Sequence, residues 1–170
     1  MTEYFDRAVL WNAVEKIEKA KNSQLAREIE LALPVELTEQ QNIMLTREYI
    51  KTNFVEKGMC ADLCIHDTGK GNPHAHIMLT MRPIEQDGIW GAKSKKEYIL
   101  DEHGERIKMK SGEYKSRKVN AVDWNEQTKT EEWRKCWANT VNKYLSQQSL
   151  NELIDHRSYD YFCQGYFKYY

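Results

Sequence analysis

Met59-Cys60-Ala61-Asp62-Leu63-Cys64-Ile65-His66 and, after a short turn, Pro73-His74-Ala75-His76-Ile77-Met78-Leu79-Thr80-Met81-Arg82 form the stretch that decides the fold. Both runs alternate with period two, so each reads as a strand whose successive side chains point to opposite faces. Asp67, Gly69, Gly71, Asn72 and Pro73 supply turn chemistry between them, which predicts an antiparallel hairpin. Met59, Ala61, Leu63 and Ile65 share a face with Ala75, Ile77, Leu79 and Met81. That face is apolar and is expected to cover helices. The opposite face carries Asp62, Cys64 and His66, then His74, His76, Met78, Thr80 and Arg82. It is polar and is expected to lie clear of helices as a site.

Three of the five histidines fall in this stretch. His74 and His76, at i and i+2, share one face of a strand. Pairing across the turn brings His66 beside His74. Three neutral imidazoles can hold one divalent metal and leave its other positions open for chemistry. Such a donor set favours Zn²⁺ or Ni²⁺ over Mn²⁺ or Mg²⁺ in affinity. Asp62 is expected to accept an imidazole N–H and orient the ring. Arg82 is expected to hold a phosphate oxygen.

Outward from the hairpin, the period changes. Val9, Leu10, Ala13, Val14, Ile17 and Ala20 recur at helical spacing, which predicts a helix over 6–21 with Asp6 as its N-cap. Residues 25–33 alternate and read as a strand ending at Pro34. If that strand neighbours the hairpin with Ile29, Leu31 and Leu33 inward, Glu28 and Glu30 emerge on the site face. Thr38 and Gly58 bracket a second amphipathic helix, and 126–147 reads as a third. Residues 97–109 resemble a further hairpin turning at Asp101–Gly104. Together these elements predict an α+β domain, an antiparallel sheet with helices packed on one face. The aromatic tail over 159–170 has no useful period.

The formal net charge of -1 does not announce a nucleic-acid partner. Local charge does: residues 88–122 hold nine basic groups against five acids, while the remainder is negative. Lys93, Lys95, Lys96, Lys108, Lys110, Arg117 and Lys118 are the candidates for a polyanion there. Cys60 and Cys64 share a face roughly 13 Å apart at about 3.3 Å per residue, too far to bridge. No apolar run approaches the roughly 18 residues of a membrane span, and no signal peptide is evident. The expected home is the cytoplasm.

Gly58-Met59-Cys60-Ala61-Asp62 leading to His66, and Gly71-Asn72-Pro73-His74-Ala75-His76-Ile77, resemble the histidine motif of MobA/MobL-type plasmid mobilisation relaxases of the HUH superfamily. Supporting stretches are Asp6-Arg7 with Leu10-Trp11-Asn12, Leu25-Ala26-Arg27-Glu28-Ile29-Glu30, Trp133-Arg134 with Trp137-Ala138, and Asp155-His156-Arg157-Ser158-Tyr159. The resemblance covers roughly residues 4–159, giving a partial relaxase domain over 1–158 with a basic insertion at 88–122. It implies an endonuclease that nicks single-stranded or hairpin DNA at a transfer origin by tyrosine transesterification. His66, His74 and His76 carry over as ligands of Mg²⁺ or Mn²⁺, with Zn²⁺ or Ni²⁺ as alternative bound ions. Glu28, Glu30 and Asp62 carry over as supporting acids, and accessory mobilisation proteins as partners. The family's nucleophilic tyrosine belongs to an N-terminal segment ahead of the helix that begins here near Asp6, and Tyr4 does not match it. The expectation is therefore a domain truncated at its N-terminus, with the metal site present and the nucleophile absent. Two alternatives stay open: a DNA-binding fragment that does not cut, and an HUH replication initiator or transposase, for which Tyr144 is the candidate nucleophile inside a long helix.

Overall fold

A computed structural model describes residues 2–67, 69, 71–85 and 88–157. The tail over 159–170 lies outside the described residues. After a 3-10 turn at Thr2–Phe5 come α1 (Arg7–Ile17), β1 (Ala26–Ala32) and α2 (Glu39–Asn53). The hairpin follows as β2 (Ala61–His66) and β3 (His74–Thr80), then β4 (Ser94–Tyr98), β5 (Ser116–Asn120) and α3 (Thr128–Gln147).

Local chemistry sets these boundaries. The Asp6 carboxylate accepts from the backbone N–H groups of Ala8 and Val9, capping α1 as expected. Thr38 and Gln41 form a reciprocal capping box at the start of α2. That helix stops at Asn53, and a 3-10 turn over Val55–Lys57 follows. Gly58 at φ +96° ends this turn, a conformation that L side chains rarely adopt.

β1, β3 and β2 form an antiparallel sheet in that order, so the strand with two histidines is central. Its rows across one face are Ala32–His74–His66, Glu30–His76–Cys64 and Glu28–Met78–Asp62. The other face carries Leu31, Ala75 and Ile65, then Ile29, Ile77 and Leu63. Leu31, Ala75 and Ile77 are buried there against Leu45, Tyr49 and Phe54 of the α2 region and Trp137, Val141 and Leu145 of α3. Burial of apolar side chains at roughly 25 cal/mol per Å² makes this layer the main source of stability. The α+β architecture matches expectation.

Two details differ from the sequence reading. First, the histidine face is not clear of helices. Asp62 accepts hydrogen bonds from Arg7 and from Trp11 Nε1, so α1 packs over one end of that face. Its buried Leu10 and Val14 are no part of the main core cluster. Periodicity predicts a helix's apolar stripe but not which side of a sheet receives it. Second, 97–109 is the inner part of a larger ribbon. The Ile107 N–H donates to Ile99 and the Asp101 N–H to Glu105, as a hairpin turning at 101–104 requires. The longer pairing joins β4 to β5, with Lys96 opposite Lys118.

A candidate metal centre and nucleic-acid face

His66, His74 and His76 come together at the turn end of the sheet. Their ring centroids lie 5.3, 5.0 and 5.1 Å apart, an almost equilateral triangle. One ligand atom from each lies within 4.8 Å of the others. The triangle follows from register: His66 directly faces His74, and His76 follows two residues on.

The ring nitrogens are already sorted. His74 Nδ1 lies 2.9 Å from the Asn72 carbonyl, and His76 Nδ1 lies 2.8 Å from Glu28 Oε1. A ring that donates from Nδ1 keeps its Nε2 lone pair for a cation. Cys64 Sγ lies 3.3 Å from His66 Nε2, a proximity that the sequence reading does not identify. Three clustered imidazoles, two of them oriented through Nδ1, on an open face fit a divalent ion.

The acidic candidates separate. Glu28 reaches across from β1 to His76. Glu30 is exposed on the same face, directly opposite His76 in the register. Asp62 does not orient an imidazole. Both its oxygens are taken by α1: Oδ1 by Arg7 at 2.6 and 3.0 Å, and Oδ2 by Trp11 at 2.9 Å. Asp62 carries the third row of the face, beyond the reach of the histidine cluster, and α1 fills the space beside it.

The basic candidates also separate. Arg82 is drawn away from the site, its Nε held 2.8 Å from Glu18 Oε1. The reason is local: β3 ends at Thr80, so alternation no longer governs the direction of Arg82. Lys93 joins the same carboxylate at 2.8 Å. Arg117 pairs with Glu97 across the ribbon. Lys95, Lys96, Lys108, Lys110 and Lys118 remain exposed. Lys96 lies over the Tyr98 ring at 5.3 Å and Arg106 at 4.2 Å, and Tyr98 meets Tyr114 edge-on. The ribbon thus has a mixed aromatic and basic surface.

The five described tyrosines are engaged elsewhere. Tyr4 accepts from Trp90, Tyr49 donates to the Trp133 carbonyl, and Tyr98 and Tyr114 belong to the ribbon. Tyr144 donates to Glu48 between α3 and α2, behind the sheet. Burial, with Glu48 beside it, pushes its hydroxyl up from the usual phenol range, the wrong direction for a nucleophile. The replication-initiator alternative therefore loses its candidate.

A cavity of about 640 Å³ runs beside β1, walled by Arg27, Trp124, Trp133 and Trp137 and touching Glu28. Six consecutive β1 residues line it, from both faces of the strand, so it borders the strand's open edge. His66, His74 and His76 are not part of its lining, although His156 is. They stand on an open face, suited to a polymer passing across rather than a small molecule enclosed.

Comparison with known proteins identifies the family. The MobA/MobL family model matches residues 1–166. The chain belongs to the MobA/MobL family. It is 40% identical over 152 residues to a conjugal transfer protein TraA of Agrobacterium fabrum, covering 88% of this chain and 13% of the relative. A probable mobilization protein MobA of Bifidobacterium longum is 37% identical over 172 residues, 92% of this chain and 30% of the relative. Mobilization protein A of Escherichia coli is 33% identical over 93% of this chain and 21% of its own length. The chain thus spans under a third of each of these MobA/MobL relatives. A solved structure described as "Molecular Basis of Vancomycin Resistance Transfer in Staphylococcus aureus" superimposes with a TM-score of 0.74 at 33% identity, covering 94% of this chain and 71% of that one.

Proposed function

We propose that this MobA/MobL chain is the metal-binding, DNA-handling part of a mobilisation relaxase, acting on single-stranded or hairpin DNA at a transfer origin. The observation that carries the reading is the convergence of His66, His74 and His76 on an open sheet face. They would hold one divalent ion, Mg²⁺ or Mn²⁺ in function and Zn²⁺ or Ni²⁺ more tightly in isolation. When bound, the ion would polarise a phosphodiester and offset charge developing on it. Glu28 keeps the His76 ring in orientation, and Asn72 does the same for His74.

The ribbon supports a DNA partner on independent grounds. Like charges directly opposite on paired strands destabilise a sheet. Lys96 nonetheless faces Lys118. A polyanion lying on that face would turn the repulsion into attraction. Ser94, Tyr98, Ser116 and Asn120 share the face by register and offer hydroxyls, an amide and a ring. The other face spends Arg117 on Glu97.

In the full reaction of a relaxase a tyrosine attacks the scissile phosphodiester and stays joined to the 5′ end. No described tyrosine stands with the histidines, so for this chain taken alone binding without cutting is the favoured form of the reading. An accessory mobilisation protein, or a further segment of polypeptide, would supply what the cut needs. The test is an origin-bearing supercoiled plasmid incubated with the chain and Mn²⁺. Retarded migration on a native gel without conversion to the nicked circle is the expected result. Failure to bind single-stranded, hairpin or supercoiled DNA at low salt would overturn the reading.

A further inference from the structure

We infer that Glu18 is a positioning residue, which sets the DNA-binding ribbon at a fixed angle to the histidine face; this rests on the DNA reading above. Glu18 directly follows α1, and its side chain is only 2% exposed. Each carboxylate oxygen takes one cation. Oε1 receives Arg82 Nε at 2.8 Å, and Oε2 receives Lys93 Nζ at 2.8 Å. Burying an ion is costly unless it is paired, and an apolar replacement of similar volume is often no less stable. Breaking such a pairing leaves a buried charge uncompensated, so a buried carboxylate held by two part-exposed cations fixes the relative position of the elements that carry them.

The triad's position says which geometry. Arg82 follows the end of β3 by two residues, and Lys93 immediately precedes β4. They bound the neck through which the chain leaves the histidine sheet and enters the ribbon. Both cations also bind the neck itself or its surroundings: Arg82 Nη1 donates to the Gly91 carbonyl and Lys93 to the Gln24 carbonyl. The Gly91 N–H donates to Pro83, closing the neck. A Cβ at Gly91 would stand 2.7 Å from Pro83 Cγ, so the two limbs are packed as closely as glycine allows.

The other end of α1 is held to β2 through Arg7, Trp11 and Asp62. Eleven helical residues span about 16 Å at 1.5 Å per residue. α1 is thus a rigid strut with β2 at one end and the ribbon neck at the other. Burial pushes the Glu18 carboxyl up, but hydrogen bonds from Lys93 and Arg82 outweigh it and hold the carboxyl below its ordinary range. The strut keeps its ionic clamp at neutral pH. Two DNA-binding surfaces on a rigid mount bind a two-part ligand more tightly than either part, because the second binding event becomes intramolecular.

The experiment compares three probes by fluorescence anisotropy: a DNA hairpin with a single-stranded tail, the blunt hairpin, and the tail alone. Wild type is expected to bind the tailed hairpin more tightly than either part. Glu18→Gln is expected to lose about tenfold of that gain while binding each part as wild type does. Gly91→Ala, whose Cβ would meet Pro83 Cγ at 2.7 Å and shift the neck without changing any charge, is expected to do the same and guards against misfolding of the first variant. An undiminished gain in both variants overturns this inference and leaves the DNA reading standing. Weaker binding of the blunt hairpin by Glu18→Gln would show Glu18 supporting the ribbon's own surface and overturn the positioning role. A wild type that binds none of the probes overturns both readings.

Discussion

Glu28 on β1 accepts a 2.8 Å hydrogen bond from His76 on β3, although the residue it faces in register is Met78. The diagonal reach matters, since it ties an acidic side chain to a candidate ligand without placing the carboxylate among the imidazoles. Glu28→Gln is expected to weaken divalent metal binding about 10- to 100-fold, the usual cost of losing a group that orients a ligating imidazole. His74→Ala with His76→Ala is expected to abolish it. Titration calorimetry with Zn²⁺ and Mn²⁺ measures both, and unchanged affinity in the double variant would sink the metal centre.

Asp62→Asn is expected to separate from Glu28→Gln. It should leave metal affinity within a few-fold of wild type and lower stability, because Trp11 and Arg7 lose a charged acceptor. Arg7 is largely exposed, which keeps its share small. Urea unfolding and calorimetry on one sample decide the matter. A large loss of metal affinity with no loss of stability would return Asp62 to the metal centre.

The ribbon predicts salt dependence. Neutralising Lys96, Lys108, Lys110 and Lys118 together should weaken DNA binding. The slope of log affinity against log salt should become shallower by about 0.7 to 0.9 for each phosphate that the ribbon no longer neutralises. Neutralising Arg117 alone should do less, since Glu97 already engages it. A slope unmoved by the fourfold change would make the ribbon a solvated protrusion.

No covalent adduct is expected between this chain and a labelled origin oligonucleotide in Mn²⁺. In-line attack needs a nucleophile held about 3–3.5 Å from phosphorus, and the five described tyrosines bond elsewhere. A denaturing gel reads the outcome. A slow band abolished by changing one tyrosine would identify the nucleophile directly, with the tyrosines of 159–170 as the first to examine.

Acid should dissolve the clamp at the ribbon neck. Glu18 titrates below the ordinary glutamate value of 4.5 when folded. A depressed carboxyl stabilises the fold above its unfolded pKa, and that contribution is lost as pH falls through the folded one. The melting-temperature gap between wild type and Glu18→Gln should therefore be constant between about pH 6 and 8 and close on acidification below about 4.5. A gap that widens in acid would contradict the pairing.

Much of this is legible in the chain itself. The alternation from Met59 to Met81 determines the two faces of the hairpin, and with them the triangle of histidines. Glu28 follows from the same alternation in β1. What pattern does not supply is direction beyond an element's end. Arg82 lies two residues past β3, where period two no longer holds, and it turns to Glu18. Nor does pattern reveal which elements far apart in the chain will touch. Arg7 and Trp11 stand one helical turn apart and so share a face of α1, but nothing local says that Asp62 will lie beneath them. The ribbon reads short in the sequence because its outer strands are rich in lysine and poor in β-forming apolar residues.

The two histidines of β3 and the one of β2 do not share the same security. β3 is flanked by strands on both sides, so its backbone opens only when the sheet does. His66 is the last residue of an edge strand, where β2 ends. Fraying costs least there. A bound ion would therefore be released in a set order, with His66 letting go first and the pair on β3 retaining it longest. Exchange of metal, and the loading of the centre beforehand, would be governed by the last turn of one hairpin and not by the unfolding of the protein.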